Sequence, residues 1–300
     1  MRAAVHISFF YREKSKDDKW ANVHEKFPYL KKIIEEYNNY PLDVDIFIHS
    51  NKLFDKELIG YINYKNGTIS VVKHNLNKYF LYKGKNYYLT WASRKLLAKQ
   101  KDSYDVFLYQ EDDIFIPKEA FNYWLEEKDK CLSKNFNLGF LRLEIKDDEE
   151  YVSDLIEKLN NKIFLDDKEY IINDSNPYCA FWVYDKEEFN RWVDSEFYNL
   201  KRIHGYGSIV SKKLEKIGLN LFPNLRYLVY SYKNKRPDSA MEASAIGLNG
   251  LRTGWYDKTV IPIRDEYIDS NCKVYHLSNY YAHEHETEMG TIKFEDIINI

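Results

Sequence analysis

Between Ala4 and Tyr109 short apolar β-type runs alternate with stretches of helical spacing, and this alternation constrains the fold more than any other feature. Ala4 to Phe10, Val44 to His49, Thr68 to Val72 and Tyr104 to Tyr109 are rich in β-branched and aromatic residues, the mark of strands. Between them, Ile33, Ile34 and Tyr37 fall on one helix face, and Leu89 through Leu97 reads as a second helix with Thr90 near its start. Strands that alternate with helices imply a mostly parallel sheet covered on both faces. The expected fold class is therefore α/β, a central mostly parallel sheet flanked by helices. Ligands of such sheets bind beyond the carboxyl ends of the strands. That rule selects Ser8 to Tyr11, His49 to Asn51 and Gln110 to Asp113, all on one edge.

The rest of the chain is less regular. Pro117 opens a helix carrying Phe121, Trp124 and Leu125, and Leu138 to Glu144 returns as a strand with alternating polar positions. Asp147 to Lys168 is charged and is expected to lie over the surface as an insertion. Pro177 to Tyr184 reads as a strand, followed by a helix capped by Asp185 and carrying Phe189 and Trp192. Ile209 to Ile217 is amphipathic and closed by Gly218. Leu225 to Tyr230 is a further strand, Lys233 to Asp269 looks loop-rich, and Val274 to Leu277 is a last short strand. No repeat or linker interrupts the chain, so residues 1–300 are expected to form a single domain.

With 44% hydrophobic residues the chain can build a sizeable core, which argues against disorder. A net charge of −3 supplies no large positive field for nucleic acid, and none is expected as a partner. Cys131, Cys179 and Cys272 are odd in number and far apart, a pattern that suits reduced thiols in a cytosol-like compartment. The opening strand runs straight into Arg12 to Lys14 without a cleavage site, and no stretch approaches the roughly 20 apolar residues of a membrane span. A soluble, cytoplasmic protein is expected. The 27 tyrosines and 6 tryptophans offer flat faces with polar tips that suit sugars and bases, although a coding bias toward Lys, Asn, Ile and Tyr is the larger cause.

Glu111, Asp112 and Asp113 end the fourth strand. Three adjacent carboxylates repel one another unless they are solvated or neutralised by a cation. Oxygen ligands of this kind suit Mg²⁺ or Mn²⁺, which bind through one or two carboxylates together with substrate phosphates. The apolar run Val106 to Tyr109 places the triplet at a sheet edge, where a metal is favoured over a solvated turn.

In that setting Tyr104 to Asp113 resembles the aspartate-containing metal motif of GT-A fold glycosyltransferases. The resemblance implies a Rossmann-type sandwich that binds a nucleoside diphosphate sugar, UDP- or GDP-linked, in residues 1–116 and a hydroxyl acceptor in residues 117–300. It implies Asp113 as the direct ligand, Asp112 as a second ligand or support, and Glu111 toward the ribose or the metal's waters. His276, on the last short strand near the C-terminus, would be a further ligand, with His283 or His285 as substitutes. Ser8, Phe9 and Tyr11 would border the base and Ser50 the same edge, and only one of Phe9 and Phe10 can line the pocket if strand alternation holds. Arg94 would clamp the diphosphate, because guanidinium matches phosphate geometry. Trp91 and Tyr88 would be part core and part pocket wall.

The catalytic base is less determined. The family's helix after a Gly-rich turn corresponds to His204 to Ile209, where no carboxylate stands. Glu144, Glu242 and His204 are the alternative bases, and without one the donor phosphate would take the acceptor proton, as in a retaining mechanism. Three rivals are a metal-dependent phosphohydrolase or nuclease, which draws carboxylates from several strand ends, a non-catalytic sugar-binding protein, and a degenerate transferase that binds donor without turning it over.

Overall fold

The computed structural model describes residues 1–11, 23–54, 60–76, 89–195, 198, 258–283 and 288–298. Strand β1 (Arg2–Phe9) leads through helix α1 (Val23–Glu36) to β2 (Asp43–Ser50) and β3 (Ile69–Lys73). Helices α2 (Leu89–Ala92) and α3 (Arg94–Gln100) precede β4 (Val106–Glu111). The expected single helix from Leu89 thus breaks at Ser93, whose hydroxyl bonds the carbonyl of Thr90. A central sheet forms in the order β11-β4-β1-β2-β3, where β11 is Phe181–Asp185. β1 pairs in parallel with β2 and β4, and β2 with β3, while β11 closes one edge antiparallel to β4. The fold is α/β, with a mostly parallel central sheet flanked by helices, as the alternation implied.

Each strand divides its residues between the two faces, because successive side chains point oppositely. Val5, Ile7 and Phe9, with Val44, Ile46, Ile48, Val106 and Leu108, pack in the larger core with Leu30, Ile33 and Ile34 of α1. Ala4, Phe107 and Tyr109 pack on the opposite side with Leu97, Trp182, Phe189 and Trp192. The last two belong to α5 (Lys186–Val193), whose N-terminus is capped as expected: Asp185 Oδ1 accepts from the backbone N–H of Glu188 at 2.8 Å. Each buried aromatic of this kind contributes on the order of 2 kcal/mol of transfer free energy.

Residues beyond the acidic turn build two further sheets. Helix α4 (Lys118–Leu132) follows the two-residue β5 (Ile114–Phe115), and β6 (Phe136–Leu138) and β7 (Leu141–Lys146) divide the strand expected from Leu138 to Glu144. The segment from Asp147 to Lys168 is not a surface insertion. It supplies β8 (Glu149–Val152) and β9 (Lys162–Leu165) and leads into β10 (Lys168–Asn173), while Val152, Leu155 and Leu159 are buried. Its charges conceal a half-buried alternation. Similarly, Lys258–Arg264 and Tyr267–Ile268, within the stretch read as loop, are β12 and β13, and β12 pairs with β10 and β6. β14 (Lys273–His276) pairs with β7 and β5 and is followed by the short helix α6 (Tyr280–His283); β15 is Ile292–Lys293. The larger core draws on residues from Ala3 to Ile298.

All three cysteines are buried and none is in a disulfide. Among the described residues no helix is long and apolar enough to cross a membrane. The stretches Ile209 to Ile217 and Leu225 to Tyr230 lie outside the described residues.

Candidate active site

Parallel register aligns the carboxyl ends of the strands. Ser8 stands beside His49 on one flank and Glu111 on the other, and Phe9 stands beside Ser50. The three selected segments therefore share one edge. Strand β4 runs two residues further than expected, so Glu111 closes it and Asp112 and Asp113 form the turn into β5. A buried amide braces that turn: Gln110 Nε2 donates to the carbonyl of Ile114 at 2.9 Å, and its Oε1 accepts from the hydroxyl of Tyr37, in the 3-10 turn that follows α1.

β5 then pairs antiparallel with β14, setting His276 opposite Ile114, and the N–H of Leu277 donates to the carbonyl of Asp113 at 2.8 Å. This pairing carries His276 to the acidic turn, with Nε2 3.6 Å from Asp113 Oδ2. On the far side of the ring, Nδ1 lies 2.5 Å from Glu144 Oε1, and Ser278 Oγ is 2.7 Å from Nε2. Burial opposes an imidazolium here, but the carboxylates of Asp113 and Glu144 outweigh it and raise His276 to about 9. Burial would likewise raise Asp113, yet His276, Lys26 and Arg142 hold it well below the usual carboxylate range.

Glu111 is the opposite case. Burial and the charge of Asp113 push it up to about 7, against the hydroxyl of Tyr178, which donates to Oε1 at 2.8 Å. Asp112 is buried and also raised, burial outweighing the pull of the Lys26 ammonium 2.5 Å from Oδ1. Arg142 on β7 completes the floor. Its guanidinium forms a two-pronged pair with Asp154, Nε to Oδ2 at 2.8 Å and Nη2 to Oδ1 at 2.6 Å. It also lies 5.3 Å from the ring centre of Tyr178 and 5.6 Å from that of Tyr281.

These residues can hold a divalent cation in one way. Asp113 and His276 converge on one space, and Glu144 on the far imidazole nitrogen is the outer partner that metal-binding histidines ordinarily have. Mg²⁺ and Mn²⁺ need only one or two protein ligands when phosphates and water complete the shell. Among the described residues no group of three or more His, Cys, Asp or Glu forms a ready-made cage. Asp112 stands beside this space with its Oδ1 held by Lys26 at 2.5 Å.

Several expected site residues are placed elsewhere. Glu144 has no exposed surface; it accepts from His276 and from the backbone N–H of Ala282 at 2.6 Å, so it orients the imidazole and does not meet an acceptor as a base. Phe9 is fully buried against Phe27 and Phe54, with ring centres 5.8 and 5.1 Å apart, and is core. Arg94 is neither a diphosphate clamp nor an exposed charge. Its guanidinium is buried beside Trp91, Trp192 and Tyr198, at 4.2, 4.7 and 4.8 Å from their ring centres, and burial lowers it to about 10. Ser8 stays at the edge, accepting from Tyr109 Oη at 2.8 Å. Ser50 is buried there, while Tyr11 is half-buried, bonded to Asn51 through both backbone groups and covered by Lys52. His283 is exposed on α6. Tyr88, His204, Glu242 and His285 lie outside the described residues.

Lys26, Arg142, Tyr178 and Ser278 were not assigned to the site from the sequence. Only Arg142 left a signal, a charge alternating with apolar residues on a strand whose polar face turned out to be buried.

No protein-family model matches this chain, and no curated protein matches it. Among solved structures, that of an active-site mutant of LgtC, a GT-A glycosyltransferase, aligns over 81% of this chain and 70% of its own, with 10% identity and a TM-score of 0.36. At that identity and score the likeness contributes nothing to assigning a reaction.

Proposed function

We propose that this protein is a metal-dependent glycosyltransferase that moves a glycosyl group from a UDP- or GDP-linked sugar to a hydroxyl acceptor on a glycan, glycoconjugate or protein. The observation that carries the reading is the convergence of Asp113 and His276, 3.6 Å apart, at the carboxyl edge of a parallel sheet. A Mg²⁺ or Mn²⁺ ion held there would supply Lewis-acid stabilisation to the diphosphate leaving group. Glu144 accepts a hydrogen bond from Nδ1–H of His276 and so turns Nε2 toward Asp113. Ser8, Tyr11 and Ser50 border the adjoining strand ends, where the base and ribose would sit, with Glu111 facing the ribose side. In this reading residues 1–116 hold the donor, residues 117–300 contribute the acceptor side, and both belong to one domain.

The test is a thermal-shift and turnover screen of UDP- and GDP-sugars with and without Mn²⁺, on the wild-type protein and Asp113→Ala. A donor should raise the melting temperature through linkage only with metal, and slow release of free sugar should accompany it. Asp113→Ala should lose both effects. Unchanged metal-dependent binding and turnover in Asp113→Ala would overturn the proposal. Phosphate release from simple phosphate esters would favour a phosphohydrolase, and glycan binding without nucleotide a sugar-binding protein.

A further inference from the structure

Lys26 occupies a costly position. It lies in the first turn of α1, where the helix dipole disfavours a cation. Its ammonium is 2.5 Å from Asp112 Oδ1 and 3.9 Å from Asp113 Oδ2. The order of the groups from the interior outward is informative. The side chains of Asp112 and Asp113 are 8% and 14% exposed, whereas that of Lys26 is 40% exposed. A ligand approaching the acidic turn on this side meets an ammonium before it meets a carboxylate. Lys26 thus compensates the buried carboxylate of Asp112 while its ammonium stands at the mouth of the acidic turn, not behind it.

We propose that Lys26 is a diphosphate-binding residue, held in place by Asp112, so that the donor's phosphates lie between the Lys26 ammonium and a cation at Asp113 and His276. This assignment rests on the glycosyltransferase reading and gives the adjacent aspartates separate tasks. Asp113 faces the metal. Asp112 positions the lysine. A lysine suits the role because an ammonium is a compact point charge with three donors. One donor is directed at Asp112, and Asp113 is beyond hydrogen-bond range, so two remain for phosphate oxygens.

The experiment is calorimetric titration of UDP and GDP, each against its nucleoside, with Mn²⁺ present. The variants are Lys26→Gln, Lys26→Arg and the double substitution Lys26→Gln with Asp112→Asn. The double variant removes both charges together and leaves no buried carboxylate uncompensated, so it guards against a loss of fold. Lys26→Gln and the double variant should weaken diphosphate binding about 10-fold or more, as expected for a charge-assisted contact. Nucleoside binding should be unchanged, and Lys26→Arg should restore most of the loss. Diphosphate affinity within about twofold of wild type in both glutamine variants, or an equal loss of nucleoside affinity, would overturn the assignment. If the wild-type protein binds neither diphosphate, the glycosyltransferase reading falls and this inference falls with it. If wild type binds and Lys26→Gln binds equally well, only the role of Lys26 is lost.

Discussion

Glu144 Oε1 and His276 Nδ1 lie 2.5 Å apart although 132 residues separate them in the chain, and the carboxylate has no exposed surface. The pair is an outer support for the imidazole edge that faces Asp113. Glu144→Gln keeps the shape of the side chain but loses the charge that orients the ring. Mn²⁺ affinity, read by titration calorimetry, should fall roughly 10- to 100-fold while the fold is retained. Unaltered Mn²⁺ affinity would remove Glu144 from the site.

The Arg142–Asp154 pair is buried on both sides, with side-chain exposures of 5% and 4%. Removing one partner strands the other charge. Asp154→Ala should cost about 3–5 kcal/mol in urea denaturation. The double variant Arg142→Met with Asp154→Ala should recover most of that loss, because a buried ion pair contributes little beyond what apolar packing would. A double variant no more stable than Asp154→Ala would show that Arg142 acts through its contacts with Tyr178 and Tyr281 instead.

Three imidazoles form a chain across neighbouring strand ends: His6 Nδ1 to His49 Nε2 at 2.7 Å, and His49 Nδ1 to His74 Nε2 at 2.7 Å. Burial lowers His6 to about 3, with Gln100 of α3 opposing the shift. Burial, then the neighbouring imidazoles, hold His49 well below its ordinary value. Both are therefore neutral when folded, while the unfolded chain takes up protons as pH falls through about 6.5. The unfolded state then binds more protons, so their stability contribution is complete above about 6.5 and is lost below it, by about 1.4 kcal/mol per pH unit for each histidine. Unfolding midpoints measured from pH 7 to 5 should fall steeply in the wild type and less steeply in His49→Gln. Equal slopes would show that the chain of imidazoles does not govern acid sensitivity.

Arg94 is held by aromatic rings on the face opposite α1. Arg94→Lys should destabilise the protein by about 2 kcal/mol, because a point charge lacks the planar surface that stacks on Trp91, Trp192 and Tyr198. Donor affinity of the folded fraction should be unchanged. A selective loss of diphosphate binding without loss of stability would restore Arg94 to the site.

The elements that were legible from the sequence are those whose signal is local. The strands around Val5, Ile46 and Leu108 declare themselves because both faces of a parallel sheet are buried and each run is almost continuously apolar. The helix cap at Asp185 and the carboxyl-edge position of Glu111 to Asp113 follow from neighbours a few residues away. Strands β8 and β9 were hidden because Glu149, Glu150 and Lys162 interrupt their short apolar runs, while β12 is a continuously buried run from Thr259 to Ile263 that contains Pro262, and β13 is only two residues long.

What each polar residue does was decided by tertiary structure. The candidates Asp113 and His276 were readable one at a time, but only the β5–β14 pairing brings them to 3.6 Å. Glu144 became a support and not a base because β7 and α6 enclose it. Asp112 became the partner of Lys26 because α1 packs over the strand end and delivers an ammonium there. Sequence spacing fixes which side of a strand a residue faces. It carries no information about which distant charge will meet that residue, and in this site those meetings assign the roles.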